Sequence, residues 1–419
     1  MKISLAGINH QTAPVAIREK ASISPRKLDD ALLVLKPRLP RGVILSTCNR
    51  TEVYTVSPDA PDDKAGADFF RDRLGLPEAG FSRHVYFRHD VAAVAHLFRV
   101  ASGLESMIVG EYEVLGQVGH ALEAAEKAGM VHLPLRHLFQ EAVRTGRRVR
   151  EETGISRNAI SVSTVAVELA ARAVGNLAES KMLVIGTGEA GKLVAQTARD
   201  RGVSRTVVVG RTLARARLMA EQLGGTPAGM EGLPGELADA DMVISCSGAP
   251  HYTLNTGQVK RAMAGRPQIP LVIIDIAVPR NVEPAVGRID HVFLHNIDDI
   301  TGLSRENLKQ RESEIAYAEK IVAEEVASFR DWWREYEVRP LIKALTGKAE
   351  AIRRAHLERT LKKLPGLTGE DKRRLEIMTR TIVSGMLKDP IRNLKSDGNG
   401  YNYPEVIARL FGLDDPDGR

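Results

Sequence analysis

The residues with the most chemical reach are two cysteines, Cys48 and Cys246, and a run of closely spaced glycines. Cys48 stands in Ser46-Thr47-Cys48-Asn49-Arg50, at the end of an apolar run, where polar side chains are placed for chemistry and its neighbours can all hydrogen-bond a substrate. A free thiol is a nucleophile only as its thiolate, and a nearby guanidinium would favour the anion. Spacing alone leaves Cys48 open between a nucleophile and a small buried hydrophobe. The glycines, Gly186-Thr187-Gly188-Glu189-Ala190-Gly191, follow a short apolar run directly and open an amphipathic helix. In that context the first glycine permits a tight turn, the second lets a pyrophosphate approach the backbone, and the third allows close packing of helix on strand. The phosphates would rest on a helix N-terminus. After the next strand an enzyme using NAD would place an acidic residue, yet the chain reads Val209-Gly210-Arg211-Thr212. Arg211 and Thr212 suit a 2′-phosphate, so the expected cofactor is NADPH, with Arg211 as an ordinary loop charge the alternative. Cys246, in Ser245-Cys246-Ser247-Gly248, would face the nicotinamide and competes with Cys48, although most such residues only line the pocket. His96 lies in Val94-Ala95-His96-Leu97-Phe98, which by itself reads as a packed histidine.

These groups need elements to hold them. Ile3 to His10 reads as a strand entering a loop, Ser24-Pro25 opens a helix carrying Leu28, Leu32, Leu33 and Leu35, and Val43 to Leu45 is the strand that delivers Cys48. Thr51 to Val56 returns with β alternation. From Asp90 to about Arg150 the pattern is helical, interrupted by a Gly-rich insert from Gly103 to Gly119. Near residue 155 the character changes to short apolar strands, Met182–Ile185, Thr206–Val209, Met242–Ser245 and Val272–Asp275, alternating with helices. They predict a doubly wound half-domain or slightly more. Ile315, Ala318, Val322, Val326, Phe329, Trp333 and Tyr336 then mark one long helix, beginning near Ser304, that Pro340 should stop or kink. Leu341 to Arg419 is helical and basic.

The whole chain has 419 residues, too many for one core, with 43% hydrophobic and 27% charged residues, which excludes a disordered or fibrous protein. Two cysteines exclude a disulfide scaffold and suit a reducing compartment. No run reaches the roughly eighteen apolar residues of a membrane span, and no secretory signal opens the chain, so a cytoplasmic protein is expected. The net charge of +6 permits an acidic partner such as RNA. Basic residues gather at Arg136, Arg144, Arg147, Arg148 and Arg150 and again between Arg339 and Lys395, where solvated helix faces and phosphate contacts are both open readings.

Taken together, Gly7-Ile-Asn-His10-Gln-Thr-Ala-Pro14, Ser46-Thr-Cys48-Asn-Arg50-Thr-Glu-Val-Tyr54, Ala101-Ser-Gly-Leu-Glu-Ser106-Met-Ile-Val-Gly-Glu111 and Val114-Leu-Gly-Gln117 resemble the motifs of the glutamyl-tRNA reductase family. Asp275-Ile-Ala-Val-Pro-Arg280 and Asn296-Ile-Asp-Asp299 extend the resemblance over essentially the whole chain. It implies that Cys48 attacks the ester carbonyl of glutamyl-tRNA and that NADPH reduces the thioester to glutamate-1-semialdehyde, the first step of tRNA-dependent 5-aminolevulinate and haem formation. By the same carry-over His96 is important for activity, and Thr47, Asn49, Arg50, Ser106, Glu111, Tyr112, Glu113 and Gln117 bind the glutamyl part. Arg50 would pair with the substrate's side-chain carboxylate. Three positions depart from the family's usual residues: Glu113 for Gln, Gly210 for Asn and Asn281 for Asp. A carboxylate at Glu113 can accept from the substrate ammonium but cannot donate to its carboxylate.

The expected fold is a multidomain α/β protein: an N-terminal catalytic domain (1–155), a Rossmann NADP-binding domain (156–302), a long connecting helix (303–340) and a helical dimerisation domain (341–419). The resemblance implies a homodimer, and glutamate-1-semialdehyde aminomutase is a candidate acceptor of the product. No metal is expected. Without the N-terminal motifs the runner-up is an NADP oxidoreductase similar to shikimate dehydrogenase, which needs no thiol. A non-catalytic RNA-binding protein with a relict Rossmann domain is the rival from another class.

Overall fold

The computed structural model describes residues 2–24, 27–57, 63–107, 109–111, 113–155, 162–299, 312–395 and 403–413, with backbone only at 162, 189 and 190. They form two compact units, Lys2–Val326 and Ala327–Arg419.

In the first unit the chain begins β1 (Ile3–Asn9), α1 (Val15–Ala21), α2 (Leu28–Leu35), β2 (Gly42–Ser46), β3 (Arg50–Val56), α3 (Lys64–Leu74), α4 (Glu78–His84), β4 (Tyr86–His89), α5 (Asp90–Ala101), α6 (Glu113–Lys127) and α7 (Leu133–Glu152). The strands form an antiparallel sheet in the order β2-β3-β1-β4. Every residue of β1 is buried. Gly7 of β1 lies opposite Glu52 on one side and Tyr86 on the other. A Cβ at Gly7 would come within 2.8 Å of the Tyr86 ring, so the missing side chain makes room for these two to meet over the strand. The expected Gly-rich insert differs from what is observed: only the turn before Glu113 is irregular, and Gly116 and Gly119 lie within α6. There Val114, Val118, Ala121, Leu122 and Ala125 are buried at helical spacing, which outweighs the cost of two helical glycines.

The same unit continues with α8 (Val162–Val174), β5 (Lys181–Ile185), α9 (Glu189–Asp200), β6 (Arg205–Gly210), α10 (Leu213–Gln222), β7 (Thr226–Gly229), α11 (Leu233–Ala238), β8 (Met242–Ser245), α12 (Thr256–Ala264), β9 (Leu271–Asp275) and β10 (Val292–Asn296). All strand pairs are parallel, in the order β10-β9-β8-β5-β6-β7. This is a complete six-stranded Rossmann sheet rather than half of one. Sequence reading missed β7, whose Thr-Pro-Ala-Gly carries no apolar run, and β10, which is mostly half-exposed at the sheet edge. Alternate residues pack on opposite faces. Met182, Val184 and Ile244 face one core, and Leu183, Ile185 and Val243 the other.

Helix α13 (Glu312–Lys363) runs from the first unit into the second. Its expected start near Ser304 lies outside the described residues. Pro340 neither ends it nor interrupts its assignment as one helix. Val338 and Leu345, on either side of the proline, are packed in a core with Leu387 and Leu394 of α14 (Gly369–Lys395) and Ile407 of α15 (Tyr403–Leu410), and that packing holds the helix through the lost hydrogen bond. Other apolar residues of this unit, Ile352, Met378, Ile382, Met386 and Leu410 among them, stay exposed. They line an open apolar groove of about 720 Å³. No helix among the described residues is long and apolar enough to cross a membrane.

Candidate active site

Ser46 pairs with Thr51 across the β2–β3 hairpin, which leaves Thr47 to Arg50 as a tight loop. The Thr47 hydroxyl accepts the N–H groups of Asn49 (3.1 Å) and Arg50 (3.2 Å), and the Thr47 N–H donates to the Arg50 carbonyl (2.8 Å). Thr47 therefore shapes the loop that carries Cys48. From outside the hairpin, Arg18 Nη1 donates to the Cys48 carbonyl (2.7 Å) and the His10 N–H to the Asn49 carbonyl (3.0 Å). Cys48 itself is partly exposed.

Arg50, Glu52 and Tyr54 share one face of β3 by the period of two. Glu52 is fully buried and collects four donors: Arg50 Nη1 (2.9 Å), His96 Nε2 (2.8 Å) and the Tyr86 hydroxyl (2.6 Å) at Oε1, and the Tyr54 hydroxyl (2.6 Å) at Oε2. Burial pushes its carboxyl up, but the charges of His96 and Arg50 and the hydrogen bonds from His96 and Tyr54 prevail and hold it well below the usual carboxylate range. Arg50 also donates to the Glu105 carbonyl. The Arg50 side chain is buried and paired with Glu52. His96 is likewise placed on Glu52, with its Nδ1 buried and unpartnered among the described residues. Glu52 lay inside a quoted motif but carried no expected role. A strand glutamate reads as surface until its four partners are seen together.

The other side of the loop is acidic. Asn49 Nδ2 lies 3.5 Å from Glu111 Oε2, and the Asn49 amide oxygen is buried without a partner among the described residues. Burial and then Glu113 push the Glu111 carboxyl up to about 7, against the pull of Arg50, a hydrogen bond from Ser106 and the charge of Arg150. Gln117 follows Glu113 by one turn of α6 and is half-buried. Tyr112 lies outside the described residues. For Cys48, burial first and then Glu111 and Glu113 push the thiol well above its ordinary range, and Arg18 only partly offsets them. The expected nearby guanidinium is present as Arg18, and it does not prevail. The ring of His10 is pushed down to about 4 by burial and by Arg50 and Arg18, which keeps it neutral.

The expected basic cluster is largely paired within the chain. Arg150 donates to the carbonyls of Ala101 (2.8 Å), Gly146 (2.7 Å) and Glu111 (2.8 Å), anchoring the acidic turn to α7. Arg148 pairs with Glu152, Glu324 and Glu325, Arg144 with Glu141 and Glu325, and Arg136 with Glu126. Arg136, Arg144 and Arg147 are exposed.

At the parallel sheet, Gly186 has φ +111°, a conformation that glycine alone adopts readily. A Cβ there would lie 2.8 Å from the Ser247 nitrogen, one at Gly188 would lie 2.9 Å from the Cys246 carbonyl oxygen, and one at Gly191 would collide with Cys246 Sγ. The third glycine thus seats α9 against β8, as expected. The thiol it accommodates is buried and pushed up to about 12, chiefly by burial. Gly188 stands at the N-cap of α9 with no side chain capping it, so the helix start and bare glycine edge fit a pyrophosphate. Thr187 is half-buried beside it, and Glu189 and Ala190 contribute their backbone to the first turn. Arg211 and Thr212 are exposed at the end of β6. Asn281 accepts the Ser247 N–H (2.7 Å) and donates to the Ala249 carbonyl (3.3 Å), a donation the family's usual Asp could not make. Its own N–H and that of Val282 donate to Asp275 (2.9 Å each).

Order β10-β9-β8-β5-β6-β7 places the sheet's switch point between β5 and β8, where the bare glycines and the Ser245–Gly248 loop meet. The class is therefore that of the nicotinamide-dependent oxidoreductases, here with a second cysteine held on a separate antiparallel sheet of the same unit. Comparison with known proteins narrows it. Residues 6–153 match the family described as glutamyl-tRNAGlu reductase, N-terminal domain, residues 168–303 match shikimate / quinate 5-dehydrogenase, and residues 317–413 match glutamyl-tRNAGlu reductase, dimerisation domain. The chain is 41% identical to a glutamyl-tRNA reductase of Moorella thermoacetica over 99% of this chain and 95% of the other. It is 35% identical to that of Bacillus subtilis, over 100% and 93%. Among solved structures, glutamyl-tRNA reductase from Methanopyrus kandleri is 34% identical, covers 99% of this chain and 100% of its own, and superposes with a TM-score of 0.51. The chain belongs to the glutamyl-tRNA reductase family.

Proposed function

We propose that this chain reduces the glutamyl group of glutamyl-tRNA to glutamate-1-semialdehyde with NADPH, through a thioester on Cys48, as the first step toward 5-aminolevulinate and tetrapyrroles. The observation that carries this reading is the Cys48 loop: the residue is partly exposed, Arg18 and Thr47 hold the loop's backbone, and a carboxyl poised near neutrality lies beside Asn49. The Cys48 sulfur adds to the ester carbonyl, the new C–S bond forms, and the C–O bond to the terminal ribose breaks. Glu111 takes the thiol proton and returns it to the leaving ribose oxygen. When bound, the nicotinamide supplies a hydride to the acyl carbon. The C–S bond then breaks with its electron pair on sulfur, the carbonyl re-forms, and the Cys48 thiolate takes a proton from solvent as the aldehyde departs.

Ser106, Glu111, Tyr112, Glu113 and Gln117 bind the glutamyl part with Thr47 and Asn49, whose amide oxygen, unpartnered among the described residues, suits the substrate ammonium. Arg50 also binds the glutamyl part, His96 is important for activity, and both pair with Glu52. Gly186 to Gly191 hold the pyrophosphate, and Arg211 with Thr212 select NADPH by its 2′-phosphate. The working parts are residues 1–155, 156–302, 303–340 and 341–419, and a second copy covers the apolar groove of the last. The protein acts in the cytoplasm and passes its aldehyde to glutamate-1-semialdehyde aminomutase. Consumption of NADPH with glutamyl-tRNA, compared with free glutamate and shikimate, tests the reading. Turnover with glutamyl-tRNA alone is expected, and turnover with shikimate would replace it by a plain dehydrogenase.

A further inference from the structure

Arg18 is buried, 2% exposed, and its three donor nitrogens go to three different places. Nε donates to the Ala13 carbonyl (3.1 Å), Nη1 to the Cys48 carbonyl (2.7 Å) and Nη2 to Asp298 Oδ1. The first keeps the arginine in its own helix turn. The second touches the backbone of the nucleophile. The third reaches the segment that follows β10, the last strand of the parallel sheet. Asp298 answers with its other oxygen, which accepts the N–H of Val15 (3.1 Å). Val15 opens α1, and the residue at the N-cap, Pro14, offers no side-chain cap. Asp298 thus caps α1 from a remote part of the chain, with its charge against the positive end of the helix.

The contact is not isolated. Arg280 donates to Glu19 through Nη2 (2.8 Å) and Nε (3.0 Å), and the Ser22 hydroxyl to the Val278 carbonyl (3.4 Å). Asp298, Arg280 and Val278 all follow the carboxyl ends of β9 and β10, the end of a parallel sheet at which ligands bind. Helix α1 is therefore held at its start, middle and end by the loops of the dinucleotide-binding sheet, and Arg18 carries that hold to Cys48.

The geometry points to Asp298, acting through Arg18, as a positioning residue for the second half-reaction: it fixes the acylated Cys48 loop relative to the nucleotide-binding sheet, while acyl transfer from tRNA proceeds without it. This rests on the acyl-Cys48 reading above. Attack on the ester uses the thiol and its acidic neighbours, all from the N-terminal part of the chain. Hydride arrival requires the acyl carbon to be held against a group on the other sheet, and an error of about 1 Å in such a placement costs on the order of a hundredfold in rate.

The test is Asp298→Ala, with the isosteric Asp298→Asn as a second variant that keeps the shape and removes the charge. Asp298 is one-third exposed, so neither change opens the core. In the full-length enzyme without tRNA or dinucleotide, amide hydrogen exchange across α1 and residues 47–50 should rise at least about tenfold in Asp298→Ala. Transfer of glutamate from glutamyl-tRNA to Cys48, followed without NADPH, should stay within about threefold of the unaltered enzyme. Loss of the acyl group on adding NADPH should slow at least about tenfold, with Asp298→Asn showing a smaller defect in the same step. Unchanged exchange overturns the clamp, as does reduction at the normal rate. Equal losses in both half-reactions would show a general structural role and overturn it as well. If the unaltered enzyme never acylates Cys48, the thioester reading fails instead, and the exchange measurement alone judges the clamp.

Discussion

Around Cys48 burial and two carboxylates hold the sulfur protonated, against the pull of Arg18 and a backbone hydrogen bond. A thiol so placed reacts when a base takes its proton during attack rather than by resting as the anion. Glu111, with a carboxyl pushed up to about 7, is neutral below that pH and ionised above it. Only the ionised form accepts a proton, so single-turnover acylation of Cys48 should rise with pH to a plateau above about 7. Glu111→Gln should remove that limb and slow acylation by about a hundredfold; an intact limb in this variant would assign it to another group. Glu113 faces Glu111 with like charge, while Arg50 and Arg150 pull the other way, so their replacement should move the limb rather than abolish it. At the nucleotide site Arg211→Ala should reduce the preference for NADPH over NADH in kcat/KM by roughly tenfold, about 1 to 2 kcal/mol of lost pairing with the 2′-phosphate. An unchanged ratio would make Arg211 an ordinary surface charge.

Between strands, the loop after β9 is pinned by Asp275, which accepts from Asn281 and Val282 at 2.9 Å and Ala277 at 3.2 Å. Asp275→Ala would leave three buried N–H groups without partners, at about 1 to 3 kcal/mol each if unrelieved. Chemical denaturation should therefore show a loss of several kcal/mol with the slope unchanged, and a loss under about 1 kcal/mol would show that water replaces the carboxylate. The parallel strands were legible in the sequence because β5, β6, β8 and β9 are continuous apolar runs between glycines and helix starts. Strand β7 was not, because its pairing with β6 rather than its own composition makes it a strand. The glycine cradle and the Cys48 hairpin are local patterns, and each residue there could be named from spacing or motif. Glu52, Arg18 and Asp298 are different. Their roles come from contacts 44 and 280 positions away along the chain, which no local window holds. The long helix was read from its period of three and four, while its passage through Pro340 depends on tertiary packing.

Over the whole molecule, the unit Ala327–Arg419 leaves Ile352, Met378, Ile382 and Met386 exposed in one groove, more apolar surface than a helical appendage leaves open to water. A matched dimerisation domain covers this region. Ile382→Asp places a charge where a second copy would bury it, and a cost of about 3 kcal/mol corresponds to roughly a hundredfold weaker association. Sedimentation at micromolar concentration should give a dimer for the unaltered chain and a monomer for the variant, and a dimer in both would move the interface elsewhere. The most direct measurement of the whole is made on the thiol. Glutamyl-tRNA carrying labelled glutamate is mixed with the full-length enzyme without NADPH, and the protein is digested and mapped. Label on Cys48, absent from Cys48→Ser, still present in Cys246→Ser and discharged as aldehyde when NADPH is added, is the predicted result. Label on Cys246, or full reductase activity in Cys48→Ser, would contradict it.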